Sequence, residues 1–239
     1  MKGFSRNRSS LIVLVSGILL LLLARQLPPD MSFAQVHQAG VLRVCHPAQL
    51  EPFFLRGTEG PEGSEATLAR KIGQALGLSV QFELQSGWGQ GVDPVDWGLR
   101  PGSCDLILGG IIYSLETRRL LSLLPYQDSA WVLLGKTPKV AVWLPFWGAP
   151  VDLLTEGLGP KAELVYPESL EEARRWLERG EVTGLLTLSE VANRLDVEGR
   201  WERQTIAPTQ MALGLWKGRS TLKRAVEKAL AKASLGPAP

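Results

Sequence analysis

Cysteine and histidine are scarce in this 239-residue chain: two of each, Cys45, Cys104, His37 and His46. They show no metal-ligand spacing, which sets aside a structural zinc site and leaves no cofactor or metal in the reading. Basic residues form no cluster interleaved with aromatics, which argues against nucleic acid. Glycine-rich phosphate loops and nucleophile–base constellations are also missing, so no catalytic residue is assigned. Long apolar runs are confined to one place. Leu11 to Ala24, LIVLVSGILLLLLA, holds fourteen residues without a charge, fewer than the roughly 20 needed to cross a bilayer as a helix.

That run follows Lys2, Arg6 and Arg8, and Ser32-Phe33-Ala34 offers small residues ahead of Gln35. Residues 1–34 therefore read as a signal peptide cleaved after Ala34. The other reading of the same residues is an uncleaved N-terminal membrane anchor. Either places the rest of the chain in the periplasm or another extracytoplasmic space. The leader holds four of the 26 basic residues and one of the 24 acidic ones, so 22 face 23 in the remainder and the net charge falls from +2 to near −1. With 45% hydrophobic and 21% charged residues, the remainder is ordinarily globular and large enough for one domain or two small ones.

Strand and helix patterns alternate along it. Val41 to Cys45 reads as a strand, residues 65–76 as a helix with Ser64 as N-cap and Gly77 as its stop, and Ser79 to Leu84 as a second strand. A Gly/Pro-rich stretch, GWGQGVDPVDWGLRPG, then runs over the surface before a buried strand, Asp105 to Leu108. Ser129 to Leu134 is a further strand. After Thr137-Pro138 the pattern restarts, with strands at 140–142, 163–166 and 182–188 and a helix capped by Ser169 and stopped by Gly180. A strand over 211–216 and a helix after Ser220 close the chain. Such alternation predicts an α/β fold with parallel sheets flanked by helices.

The cysteines can be judged against this layout. Cys45 ends the first strand and Cys104 begins a strand expected beside it and parallel. Their levels then differ by about four residues, or roughly 13 Å, whereas a disulfide wants Cα atoms within about 7 Å. The expectation is two unpaired, buried thiols.

Taken in order, the motifs resemble the family-3 periplasmic solute-binding proteins, the receptors of polar amino-acid ABC importers. Leu42-Arg43-Val44 and Pro52-Phe53 match the first strand and its "PPF" loop. Gly63, Leu68-Ala69 and Leu76-Gly77-Leu78 match the "G-F-D-x-D-L-A…LG" helix. Gly102 to Gly110 matches "G-x-x-D-x-I-x-G-G", Pro125-Tyr126 the "S-x-P-Y" turn, and Glu168 to Leu186 the second-lobe helix and strand. The resemblance implies two Rossmann-like lobes of the type II periplasmic binding protein, joined by a hinge. Lobe 1 is 41–135 plus 208–235, and lobe 2 is 138–204. Ligand would bind beyond the carboxyl ends of the strands, and hinge closure would bury it.

The pattern breaks where the family holds an amino acid. An arginine normally clamps the ligand carboxylate by bidentate hydrogen bonds. Here Thr117 takes its place, and only a one-residue shift brings in Arg118. The acid that meets the ligand ammonium is replaced by Leu188, with Glu190 two residues on, and a leucine cannot pair a buried charge. The first-lobe aromatic becomes Leu50. The second-lobe loop, whose amides usually take an anion, carries Trp143, Pro145, Phe146 and Trp147.

The implied ligand set is His46, Leu50, Phe53, Ile111, Ser114, Arg118, Trp143, Phe146, Trp147, Thr187, Leu188 and Glu190. The function implied is a monomeric, non-enzymatic binding protein that passes a small molecule to an inner-membrane ABC permease, the ligand not being a standard α-amino acid. The alternative is a periplasmic accessory protein on the same scaffold. The Cys45 and Cys104 contexts also resemble binding-like proteins associated with quinoprotein alcohol dehydrogenases. An enzyme of the cyclohexadienyl dehydratase type ranks last. It needs a placed acid, and Glu51, Glu65, Glu116 and Glu190 show no partner in the sequence.

Overall fold

The structure, a computed structural model, describes residues 12–20, 29–88, 94–196 and 198–234. The chain divides into two compact units, Met1–Met31 and Ser32–Pro239. In the first, residues 12–20 form a helix, α1, whose large apolar side chains are exposed. No helix among the described residues is long and apolar enough to cross a membrane.

The second unit begins with α2 (Ser32–Ala39) and β1 (Val41–Pro47), a small hairpin of β2 (Leu55–Gly57) and β3 (Gly60–Glu62), α3 (Ser64–Leu76) and β4 (Ser79–Gln85). A 3₁₀ turn at Pro94–Trp97 leads to β5 (Leu106–Ile112), α4 (Leu115–Leu120) and the long β6 (Leu121–Gly135). Next come β7 (Lys139–Val142), α5 (Val151–Glu156), β8 (Glu163–Val165), α6 (Leu170–Arg179), β9 (Gly184–Leu188), α7 (Ser189–Leu195), the long β10 (Arg203–Trp216) and α8 (Ser220–Ser234).

Eight strands form one sheet in the order β4-β1-β5-β10-β6-β9-β7-β8. Two parallel trios, β4-β1-β5 and β9-β7-β8, flank an antiparallel pair, β6 and β10. Alternation alone suggests separate parallel sheets. The two segments that cross between the halves instead saturate each other's backbones, pairing from Leu134 with Arg203 to Leu121 with Trp216. A crossing strand with no partner would bury unpaired amides, so the joint itself becomes sheet.

Glycines set the helix ends. Gly77 and Gly180 adopt φ near 70° and cap α3 and α6, and Ser169 accepts from the Glu172 amide as its spacing predicts. At α3 the expected Ser64 cap is not formed. Gly63 is the cap residue, at φ 109°, and a Cβ there would sit 2.3 Å from the Phe53 carbonyl oxygen. That close approach turns the chain so that Glu65, in the first turn, points inward.

The main core crosses both halves, joining Leu42, Val44, Phe53 and Leu106 to Val140, Leu186 and Leu188 through Trp131 and Phe146. A second cluster surrounds a Cys45–Cys104 disulfide with Cα atoms 5.7 Å apart. The expectation of free thiols is therefore wrong. It assumed that Cys104 lies in line with β5. The chain bends at Asp105, whose amide donates to the Arg43 carbonyl, and the strand proper starts at Leu106. The turn before it brings Cys104 to the level of Cys45.

Candidate functional site

A crevice of about 580 Å³ opens beyond the carboxyl ends of β1, β4 and β7. Pro47 ends β1 and Ala48 to Leu50 follow it, and Gln85 ends β4 with Ser86 and Trp88 beyond it. Trp97 and Glu116 form another wall, and Leu144 to Ala149 follow β7. Strand ends from both halves of the sheet thus meet at one cavity, as an open α/β sheet with a reversal of order requires. The described lining residues include Glu116 but no lysine, arginine or histidine.

The loop after β7 is tied down across the sheet. β1 pairs with β5 only at Leu106 and Ile107, which leaves that edge of β5 open further on. Trp147 fills it: its carbonyl accepts from the Ile112 amide at 2.9 Å, and it bridges Ile111. This anchoring drives Phe146 into the base of the crevice, edge-on to Phe53 at 5.9 Å and tilted against Trp131 at 5.9 Å. Beneath lies the Gly109-Gly110 turn. A Cβ on Gly110 would come within 2.7 Å of Phe146 and 2.8 Å of Leu50, so only glycine, here at φ 68°, allows this packing.

Under the same turn sits Glu65, fully buried. Its carboxylate accepts from the Tyr126 hydroxyl at 2.6 Å and from the Gly110 amide at 3.2 Å. Burial pushes its pKa up to about 7, against the opposing pull of the Tyr126 and glycine donors. Burial and the Glu65 charge raise Tyr126 well above its ordinary value. Asp105, next to the disulfide, would be raised by burial. Arg43 and Arg219, at 3.2 and 2.8 Å, instead hold it below the ordinary carboxylate range.

Of the twelve residues that sequence singles out, Leu50, Phe146 and Trp147 line the crevice. Phe53, Ile111 and Leu188 are buried in the packing around it. Trp143 is half-buried and edge-on to Phe146 at 5.7 Å. Ser114 caps α4 in a reciprocal box with Thr117, whose hydroxyl also donates to the Ile112 carbonyl at 2.7 Å. Arg118 is exposed, its guanidinium 5.4 Å from the Tyr113 ring centre. Thr187 is fully buried, and its hydroxyl meets no protein partner.

Two residues lie in other cavities. His46 stacks on Phe54 at 4.8 Å and hydrogen-bonds the Pro47 carbonyl at 2.7 Å, beside the β2–β3 hairpin. Burial lowers its pKa. Glu190 accepts from Gln127 at 2.5 Å and from Ser129 at 2.6 Å in a separate, charged cavity. Sequence reading passed over Trp88 and Trp97, whose rings lie 5.0 Å apart, with Trp97 edge-on to Trp147 at 4.8 Å. They fall in the Gly/Pro-rich stretch read as a surface crossing. The available signal was its position, directly after a strand's carboxyl end.

The two parallel halves, the two crossing strands and the crevice between strand ends define the two-lobed, type II periplasmic binding protein fold. Three solved structures show the likeness. An ancestral amino acid-binding protein, a precursor of cyclohexadienyl dehydratase, is 21% identical, with a TM-score of 0.68 over 84% of this chain and 92% of that one. A histidine-bound ABC uptake transporter substrate-binding protein from Streptococcus pneumoniae is 18% identical, with a TM-score of 0.67 over 85% and 90%. Holo ArgBP from T. maritima is 17% identical, with a TM-score of 0.62 over 85% and 95%. No protein-family model and no curated protein matches the sequence.

Proposed function

We propose that this chain is a non-enzymatic, extracytoplasmic solute-binding protein that captures a small ligand between two lobes, 41–135 plus 208–235 and 138–204, for an ABC importer. It acts as a monomer and presents its ligand to the permease. One arrangement carries the reading: Phe146 and Leu50 close over the Gly109-Gly110 turn, and the adjoining crevice has indole walls and no cationic side chain among its described lining residues. A zwitterion buried there would lose hydration without gaining ion pairs. A planar ligand, neutral or singly cationic, could stack on the half-buried Trp88, with the edges of Trp97 and Trp147 behind it and Glu116 the one carboxylate among the described lining residues. The enzyme reading is disfavoured because Glu65 is buried beneath the crevice, Glu51 and Glu190 lie in a separate cavity, and Glu116 is the single titratable side chain among the described lining residues.

The test is a thermal-shift screen of amino acids, organic acids and aromatic metabolites. A ligand at 100 times its dissociation constant adds about 2.7 kcal/mol to stability. We expect a shift with an aromatic compound and none with arginine, glutamine or histidine. Micromolar binding of one of those amino acids would overturn the reading. The backbone bond from Ile112 to Trp147 favours a second reading, an accessory protein whose crevice is filled by its own aromatics. A screen with no stabilising compound, together with co-purification of a dehydrogenase or cytochrome, would select it.

A further inference from the structure

His46 is 6% exposed and lies outside the crevice. Strand register explains its place. In the parallel ladder His46 stands opposite Leu84, and Val44 opposite Phe82. Alternation therefore turns Phe82, Leu84 and His46 to one face of the sheet, at its end strand β4. The β2–β3 hairpin lies against this face and leaves a cavity of about 270 Å³. Leu55, Pro61, Phe82 and Leu84 give it apolar walls, and Leu84 is 57% exposed. Among the described residues, Ala48 alone lines both this cavity and the crevice.

The imidazole brings one unpaired polar atom to these walls. Nδ1 lies 2.7 Å from the Pro47 carbonyl oxygen. A carbonyl only accepts, so Nδ1 carries the proton. Burial lowers the pKa, which keeps the ring neutral at neutral pH and leaves Nε2 a bare lone pair. Nε2 has no hydrogen-bond partner among the described residues. Packing does not seal it off as it seals the indole nitrogens of Trp88, Trp147 and Trp216. A largely buried acceptor without a donor costs free energy, and a donor inside the cavity removes that cost. Arg56, exposed, is the cation among the described lining residues, and no carboxylate is among them. An ammonium donor would meet a like charge with no lining group to balance it, so the fitting donor is an uncharged O–H or ring N–H. Size narrows the choice further. A cavity of about 150 Å³ takes benzene, and drug-sized ligands fill about 300–1,000 Å³.

We infer that this cavity is a second binding site, for a small uncharged aromatic donor of the phenol or indole class, whose O–H or N–H donates to His46 Nε2 while its ring packs on Phe82 and Leu84. Phe82 is half-buried and Leu84 exposed, so a ring laid against them takes apolar surface out of water. The inference does not depend on which solute the crevice takes.

The test titrates the full chain at neutral pH with phenol and, separately, with fluorobenzene, a ring of similar size without a donor. The readout is the backbone amide resonances of Gly57 and Gly60, which line the cavity. If the ring alone decided, fluorobenzene, the less water-soluble probe, would bind more tightly. We expect the reverse order: phenol shifts both amides with a Kd of about 1 mM or below, and fluorobenzene binds several-fold more weakly. Imidazole nitrogen spectra should place the His46 proton on Nδ1, and phenol should shift the Nε2 signal. The change His46→Phe keeps a ring to stack on Phe54 and removes the acceptor. With the glycine amides still as readout, phenol should lose its advantage. Fluorobenzene binding the wild type at least as tightly as phenol would overturn the inference without any variant. So would phenol shifts confined to the amides of Trp147 and Gly148 on the crevice wall, or a phenol preference that persists in His46→Phe.

Discussion

Glu65 carries the strongest residue-scale consequence. Its pKa rises from 4.5 to about 7 in the fold. The folded state therefore binds the proton more tightly than the unfolded chain, so this group's contribution is fully present below pH 4.5 and is lost as pH rises through 7. The span corresponds to about 3 kcal/mol. His46 acts in the opposite sense: its lowered pKa costs stability as pH falls through 6.5. The difference between wild type and Glu65→Gln isolates the carboxyl. Denaturant unfolding of the variant between pH 5 and 8 should lack the loss on alkalinisation that the wild type shows.

Asp105 has the complementary chemistry. It accepts from the Arg43 amide and pairs with Arg43 and Arg219, so one side chain ties β1, the start of β5 and the approach to α8. Asp105→Asn leaves two guanidinium groups under-paired. Arg43 is 38% exposed and partly screened by water, which limits the loss to about 2 kcal/mol. Because the folded pKa is depressed, the contribution is present above 3.8 and disappears as pH falls below it. Urea titrations of wild type and variant should differ by less near pH 3 than at neutral pH.

At the scale of elements, the disulfide and the tryptophans share one cluster. Cys45 and Cys104 pack with Trp97 and Trp147, and Gln85, on the crevice wall, donates toward the Cys45 sulfur at 3.5 Å. Closing a loop across 59 residues restricts the unfolded chain and contributes about 2–4 kcal/mol. Replacing both cysteines by serine should lower Tm and reduce near-ultraviolet circular dichroism from the indoles. The far-ultraviolet spectrum should persist, because the ladders of β1 with β4 and β5 do not depend on the bridge.

For the molecule as a whole, Phe146 is the keystone. It comes from the loop after β7 and packs on Phe53 from the first half and Trp131 from the crossing strand. Truncation to alanine leaves a cavity where the halves meet and should cost about 3 kcal/mol. The two halves then lose a shared contact, so the radius of gyration from small-angle scattering should rise in Phe146→Ala. An unchanged radius with reduced stability would confine Phe146 to local packing.

The sequence by itself determined the alternation of strands and helices, the α3 and α6 stops at Gly77 and Gly180, and the uncharged character of Thr117 and Leu188. Each is set by neighbours within a few positions or by the identity of one side chain, so a linear reading suffices. The tertiary structure alone decided that the crossings pair as β6 and β10, that Cys104 bends back to Cys45, and that Trp147 seals the free edge of β5. It also placed Trp88 and Trp97 on the crevice wall and Glu65 beneath its floor. Those outcomes depend on which distant backbones leave amides unpaired and which apolar faces are left uncovered, quantities that exist only once the chain has closed on itself.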